Sequence, residues 1–137
     1  MPSDDVLLNK SAIIERCIRR IREEYAACPA LDDYTRVDAL TLNVERACQA
    51  AIDLAMHTVA SAHLGIPQSS AEAFSLLEKA GILSQPLAKT MRAMCGFRNV
   101  AIHQYEDLDL DILRWVAERG CEDWSQFCAL LQTKILP

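Results

Sequence analysis

One stretch holds most of the chemistry this chain offers: Gly96-Phe97-Arg98-Asn99-Val100-Ala101-Ile102-His103-Gln104-Tyr105. It sets a guanidinium, an amide, an imidazole and a phenol close together inside an otherwise apolar helical pattern. Arginine is permanently cationic and presents a planar fork of donors that matches phosphate. Histidine titrates nearest neutrality, so it can both take and give a proton. One group to hold charge and one to move protons is what phosphodiester cleavage needs. Spacing alone leaves a second reading open, in which Arg98 is salt-bridged to an acid of a neighbouring helix and His103 sits at a helix end.

Other chemistries have weaker support. Neither G-x-x-x-x-G-K nor G-x-G-x-x-G occurs, nor H-E-x-x-H. The six cysteines, at 17, 28, 48, 95, 121 and 128, form no C-x-x-C pair, so zinc and thioredoxin-like readings are weak. They read as reduced, mostly buried thiols. His57 and His63 differ by about 240° around a helix and do not chelate one metal. Asp107, Asp109 and Asp111 interrupt the helix of the key stretch and read as caps and solvated acids for the helix that follows. No metal and no cofactor is expected.

The elements that must position Arg98 and His103 are helices. The first is expected from about Asp5 to Ala27, with Leu7, Ser11, Ile14, Ile18, Ile21 and Tyr25 in one stripe. Arg16, Arg19, Arg20 and Arg22 stand off that stripe, either as a solvated face or as a docking strip for RNA or an acidic partner. Cys28-Pro29 ends this helix. The second starts near Asp32 or Asp33 and reaches about Leu64, with Leu40, Val44, Ala47, Ala51, Leu54, Thr58 and Ala62 as its stripe and Gly65 as its C′ residue. Its length suits an elongated bundle or an oligomer interface. The third opens with the capping box Ser69–Glu72 and closes at Gly81. The fourth begins at Ser84 and Pro86 and carries Leu87, Met91, Met94, Arg98 and Tyr105 on one face. A short helix with Ile112, Trp115 and Val116 follows, Gly120 breaks it, and a last helix from about Asp123 to Leu136 carries Trp124, Phe127, Cys128, Leu131 and Ile135. Arg98 and His103 lie about 140° apart on such a helix, so a single straight helix points them apart.

These patterns predict one all-α domain over residues 1–137, an elongated up-down bundle of four to five helices. The composition agrees, with 51% hydrophobic residues, only 4 Gly and 5 Pro. The net charge of −5 means that any RNA site must be local. No apolar run is long enough to span a membrane. The acidic start, Met1-Pro2-Ser3-Asp4-Asp5, lacks the features of a signal peptide. A cytoplasmic protein is expected.

The run Arg98-Asn99-Val100-Ala101-Ile102-His103-Gln104-Tyr105 fits the R-N-x-x-x-H-x-Y form of the R-x(4–6)-H motif of the HEPN superfamily. Other segments resemble its HepT-like toxin branch: Asn43-x-Glu45-Arg46-Ala47 through Asp53-Leu54-Ala55, Phe74 to Leu77, Gly81-Ile82-Leu83, Leu87-Ala88 and Met94-Cys95-Gly96-Phe97. The resemblance runs from about residue 6 to 135. It implies a metal-independent endoribonuclease toxin of a toxin–antitoxin pair. It implies a homodimer with two motif copies facing across the axis, and a minimal nucleotidyltransferase antitoxin of MntA type as partner. Arg98, His103 and Asn99 would be catalytic, and Tyr105 would be the residue modified with AMP to silence the toxin. The alternatives are a non-catalytic helical partner of a nucleotidyltransferase that binds nucleotide or RNA, and a structural dimerisation domain.

Overall fold

The computed structural model describes residues 5–103 and 110–135, with side chains for 5–96 and 110–134. The described residues form α1 (Asp5–Ala27), α2 (Tyr34–Ser61), α3 (Ser70–Lys79), α4 (Gln85–His103), α5 (Leu110–Trp115) and α6 (Cys121–Ile135). A wide π-turn over Val116–Gly120 joins the last two. No strand occurs among the described residues.

α1 and α2 make a long antiparallel hairpin. α1 buries Leu7, Ser11, Ile14, Cys17, Ile18 and Ile21, the stripe that the three- and four-residue spacing requires. Asp33 caps α2, its carboxylate accepting from the amides of Thr35 and Arg36 at 3.0 and 3.3 Å. The 28 residues of α2 span about 42 Å. Ion pairs mark both ends of the hairpin, Lys10 with Asp53 at 3.1 Å and Glu24 with Arg36 at 3.2 Å.

α2 ends at Ser61 rather than at Leu64, and the reason is local. The amide of Leu64 donates to the Val59 carbonyl at 3.0 Å and that of His63 to Ala60 at 3.3 Å, a Schellman closure. His63, not Gly65, is the C′ residue that closes α2, with φ 55°, while Gly65 has φ 133° in the loop beyond. α3 closes in the same way, with Ile82 donating to Leu77 and Gly81 to Glu78, both at 3.0 Å. There the left-handed residue is Gly81, φ 77°.

Gly120 does not break the last helix. The chain runs through it without leaving helical structure. A Cβ at Gly120 would lie 2.8 Å from Met94 Cε and 3.2 Å from Trp115 Cζ3, so glycine is there for close approach to α4. α6 therefore starts at Cys121, and its buried face holds Cys121, Trp124, Phe127, Cys128 and Leu131. Phe127 meets Phe74 edge-to-face, centroids 5.7 Å apart. Asp111 lies inside the first turn of α5, paired with Arg114 at 3.1 Å, rather than before it as a cap. Asp107 and Asp109 lie outside the described residues. None of the six cysteines is in a disulfide, and five of them are buried.

Candidate active site on the fourth helix

α4 is built to be held. Ser84 caps it, its hydroxyl accepting from the Leu87 amide at 3.3 Å. Leu87, Ala88, Met91, Met94 and Cys95 are buried. On the flank, Arg92 donates to Ser75 at 3.3 Å and to Glu78 at 3.1 Å, which ties α4 to α3.

Three contacts fix its direction. Lys134, at the end of α6, donates to the Gly81 carbonyl at 2.8 Å, just before α4 begins. Met94, halfway along α4, lies beside Gly120 at the start of α6. α4 thus runs antiparallel to α6. α6 in turn runs antiparallel to α1, because Cys128 neighbours Ser11 while Cys121 lies near Arg22. α4 is therefore antiparallel to α2 as well. The Cys48 thiol donates to the Met94 carbonyl at 3.4 Å, so the turn holding Arg98 stands level with the α2 turn around Val44.

Arg98, Asn99 and His103 all lie on α4, whose backbone is α-helical up to His103. Their side chains lie outside the described residues, and Tyr105 lies outside them altogether. The backbone that carries Arg98 and His103 is helical over the whole interval between them. Val44 and Met94, around the level of the motif, are buried. The buried Thr41 hydroxyl has no hydrogen-bond partner among the described residues.

Among the described residues, no three His, Cys, Asp or Glu side chains gather as a metal site. His57 is half-buried and His63 exposed. Burial pushes the Cys121 and Cys128 thiols up to about 11, and it raises Cys17 as well, against the pull of Arg16 and Arg46. These thiols stay protonated at neutral pH and offer no nucleophile. No helix among the described residues is long and apolar enough to cross a membrane.

Two residues that position the motif are not recognisable as such in the sequence: Cys48, which anchors Met94 one turn before Arg98, and Gly120, which lets Met94 pass. For Gly120 a signal exists. The buried series Leu113, Val116, Gly120, Trp124, Phe127 and Leu131 keeps three- and four-residue steps straight through the glycine.

Residues 13–131 match the family described as Ribonuclease HepT-like. The chain is 39% identical over 132 residues to an mRNA nuclease HepT of Shewanella oneidensis, covering 96% of this chain and 99% of that one. A tRNA nuclease HepT of Aphanizomenon flos-aquae is 37% identical over 84 residues, 58% of this chain and 57% of that one. Among solved structures, a tri-AMPylated Shewanella oneidensis HEPN toxin in complex with MNT antitoxin superposes with a TM-score of 0.90 at 39% identity, over 96% of this chain and all of that one. A toxin–antitoxin crystal structure with AMP-PNP superposes equally well, with the same identity and coverage.

Proposed function

This chain belongs to the HepT-like ribonuclease family, and from that membership we propose that it is the endoribonuclease toxin of a toxin–antitoxin pair and cleaves RNA without a metal ion. The observation that carries the reading is the intact Arg98-Asn99-x-x-x-His103-x-Tyr105 run of the sequence, inside the matched region, whose Arg98, Asn99 and His103 lie on the last turns of a helix held on three sides.

The chemistry follows from the substrate. RNA carries its own nucleophile, the ribose 2′-OH beside the scissile phosphate, so no activated water is required. His103 takes the hydroxyl proton as the 2′-oxygen bonds to phosphorus. Arg98 stabilises the charge gathering on the phosphorane oxygens, and Asn99 orients the imidazole or a phosphate oxygen. The P–O5′ bond breaks and the leaving oxygen takes a proton. The products are a 2′,3′-cyclic phosphate and a 5′-OH.

The 140° between Arg98 and His103 favours a site made by two copies. Across a two-fold axis the motif meets itself. Arg98 of one copy then works beside His103 of the other, and two imidazoles are available, one as base and one as acid. Pairing with a nucleotidyltransferase antitoxin gives Tyr105 its role. Its phenol oxygen bonds to the α-phosphorus of ATP and pyrophosphate leaves. The AMP places negative charge beside the guanidinium that would hold RNA.

Purified protein incubated with RNA in EDTA tests the reading. Cleavage is expected to persist, with cyclic-phosphate ends. Cleavage that stops in EDTA and returns with Mg²⁺, contaminating nucleases excluded, would overturn the mechanism. Nucleotide or RNA binding without cleavage would point to a non-catalytic partner of the nucleotidyltransferase.

A further inference from the structure

The arginines that stand off the core stripe of α1 do not share one environment. Arg16 and Arg20 line a groove of about 470 Å³ between α1 and α2, and Arg46 lines it from α2. The charges there can be followed one by one. Asp53, the one carboxylate in the lining, is engaged at both oxygens, by Lys10 at 3.1 Å and by Gln49 at 2.8 Å. Arg20 is answered by Glu23 and Glu24 at 3.2 and 3.4 Å. Arg16 and Arg46 have no ion-pair partner among the described residues. Both arginines act through space on the Cys17 thiol, which lines the same groove, one from α1 and one from α2. The rim is partly apolar, with Leu42 44% exposed.

We propose that this groove is a phosphodiester-binding subsite for the RNA, in which Arg16 and Arg46 hold phosphates several nucleotides away from the scissile one. The proposal rests on the ribonuclease reading. A chain of net charge −5 repels a polyanion in general, so its hold on RNA must come from a local surplus of cations, and the forks of Arg16 and Arg46 supply one with the geometry phosphate takes. Placement says which nucleotides are held. On α2, Arg46 points about 200° away from Cys48, and Cys48 faces α4. The groove thus opens on the side of α2 turned away from the motif helix. A strand must pass around α2, about 10 Å across, to touch both. Long RNAs use the groove and very short ones do not.

The test uses the full chain and a 2′-O-methylated single strand, which binds but has no nucleophile to cleave itself. In the Arg16→Gln/Arg46→Gln protein, affinity for that strand is expected to fall about tenfold or more. The slope of log K against log salt should flatten by about 1.4, two phosphate contacts at roughly 0.7 each on a single strand. Cleavage of a dinucleotide, too short to reach the groove, should be unchanged. Arg16→Lys/Arg46→Lys keeps the charges and should restore the salt slope with part of the affinity, which separates phosphate binding from misfolding. If the double Gln protein binds the long strand with unchanged affinity and slope while wild type cleaves RNA, the groove proposal falls and the ribonuclease reading stands. If it keeps RNA but loses a protein partner, the groove is a protein contact and the proposal falls. If wild type neither binds nor cleaves RNA, the functional reading falls and takes the groove with it.

Discussion

The Cys48 thiol donates to the carbonyl oxygen of Met94 across 3.4 Å, and that bond sets the register of α4 against α2 one turn before Arg98. The same Met94 extends its terminal methyl toward Gly120. Two elements thus bear on the residue immediately beneath the proposed active site.

Arg98→Ala and His103→Ala should each lower RNA cleavage by at least about 100-fold, the scale of a lost charge stabiliser or acid–base group. Helicity by circular dichroism should stay near wild type. A variant that unfolds instead would mark its residue as a structural ion-pair partner.

Mixing tests the two-copy site. Inactive Arg98→Ala chains combined with inactive His103→Ala chains should recover partial cleavage, because some heterodimers keep one intact pair across the axis. A mixture that stays dead means that each pair belongs to one chain or that all four groups are required. Full activity from a protein that is monomeric by sedimentation would rule out the composite site.

Tyr105→Phe removes the hydroxyl proposed to receive AMP. In the presence of the antitoxin and ATP, this protein should keep cleaving RNA while wild type is silenced, and intact-mass spectrometry should show no added nucleotide at that residue. Silencing of the Phe protein by the antitoxin's enzymatic activity would place control elsewhere.

His63 occupies the left-handed position that closes α2, with φ 55°, and is exposed. An L-residue is strained there and glycine is not. His63→Gly should raise unfolding stability by about 0.5–1 kcal/mol, reduced by the greater freedom of glycine in the unfolded chain, while His63→Ala should give no gain. Urea melts of the three proteins measure it.

Cys121 and Cys128 carry a pH signature. Their thiols ionise near 9 when free and near 11 in the fold, because burial disfavours the thiolate. Below pH 9 both states hold the proton and stability is unaffected. From pH 9 to 11 the unfolded chain releases protons that the native state keeps, so stability falls, by an amount on the order of 2 kcal/mol per thiol. Urea midpoints at pH 8 and 10.5 should differ more for wild type than for Cys121→Ala. Equal differences would mean that the buried thiol does not contribute.

Much of the frame is legible because helix patterning is local. The α1 bounds, the Asp33 and Ser69 caps and the Trp124–Leu131 face all follow from spacing and capping chemistry within a turn or two. What escapes is decided between elements. Gly120 reads as a breaker until Met94 is beside it. Gly65 looks the better left-handed residue, yet the hydrogen bonds of Leu64 and His63 close the helix two residues earlier. The motif itself is read from residue types, Arg98 to Tyr105. Its helix is visible up to His103, and its side chains are outside the described residues. Arg46 carries no local sign of sharing a groove with Arg16, since that depends on how α1 lies on α2.

The α1–α2 hairpin also orders events in time. Its end pairs are 12 and 43 residues apart, and contacts of shorter sequence separation form earlier on the way to the native state. The closing pairs are distant: Tyr25 and Glu118, whose hydroxyl and carboxylate meet at 2.6 Å, are 93 residues apart. The hairpin is expected to assemble first and α6 to dock last, through Trp124, Phe127 and Leu131. The helix that bears Arg98 and His103 is synthesised before Gly120, on which it finally leans. A growing chain that has reached only Trp115 therefore holds the motif without its bearing, and the site takes its final position only when the C-terminal helix arrives.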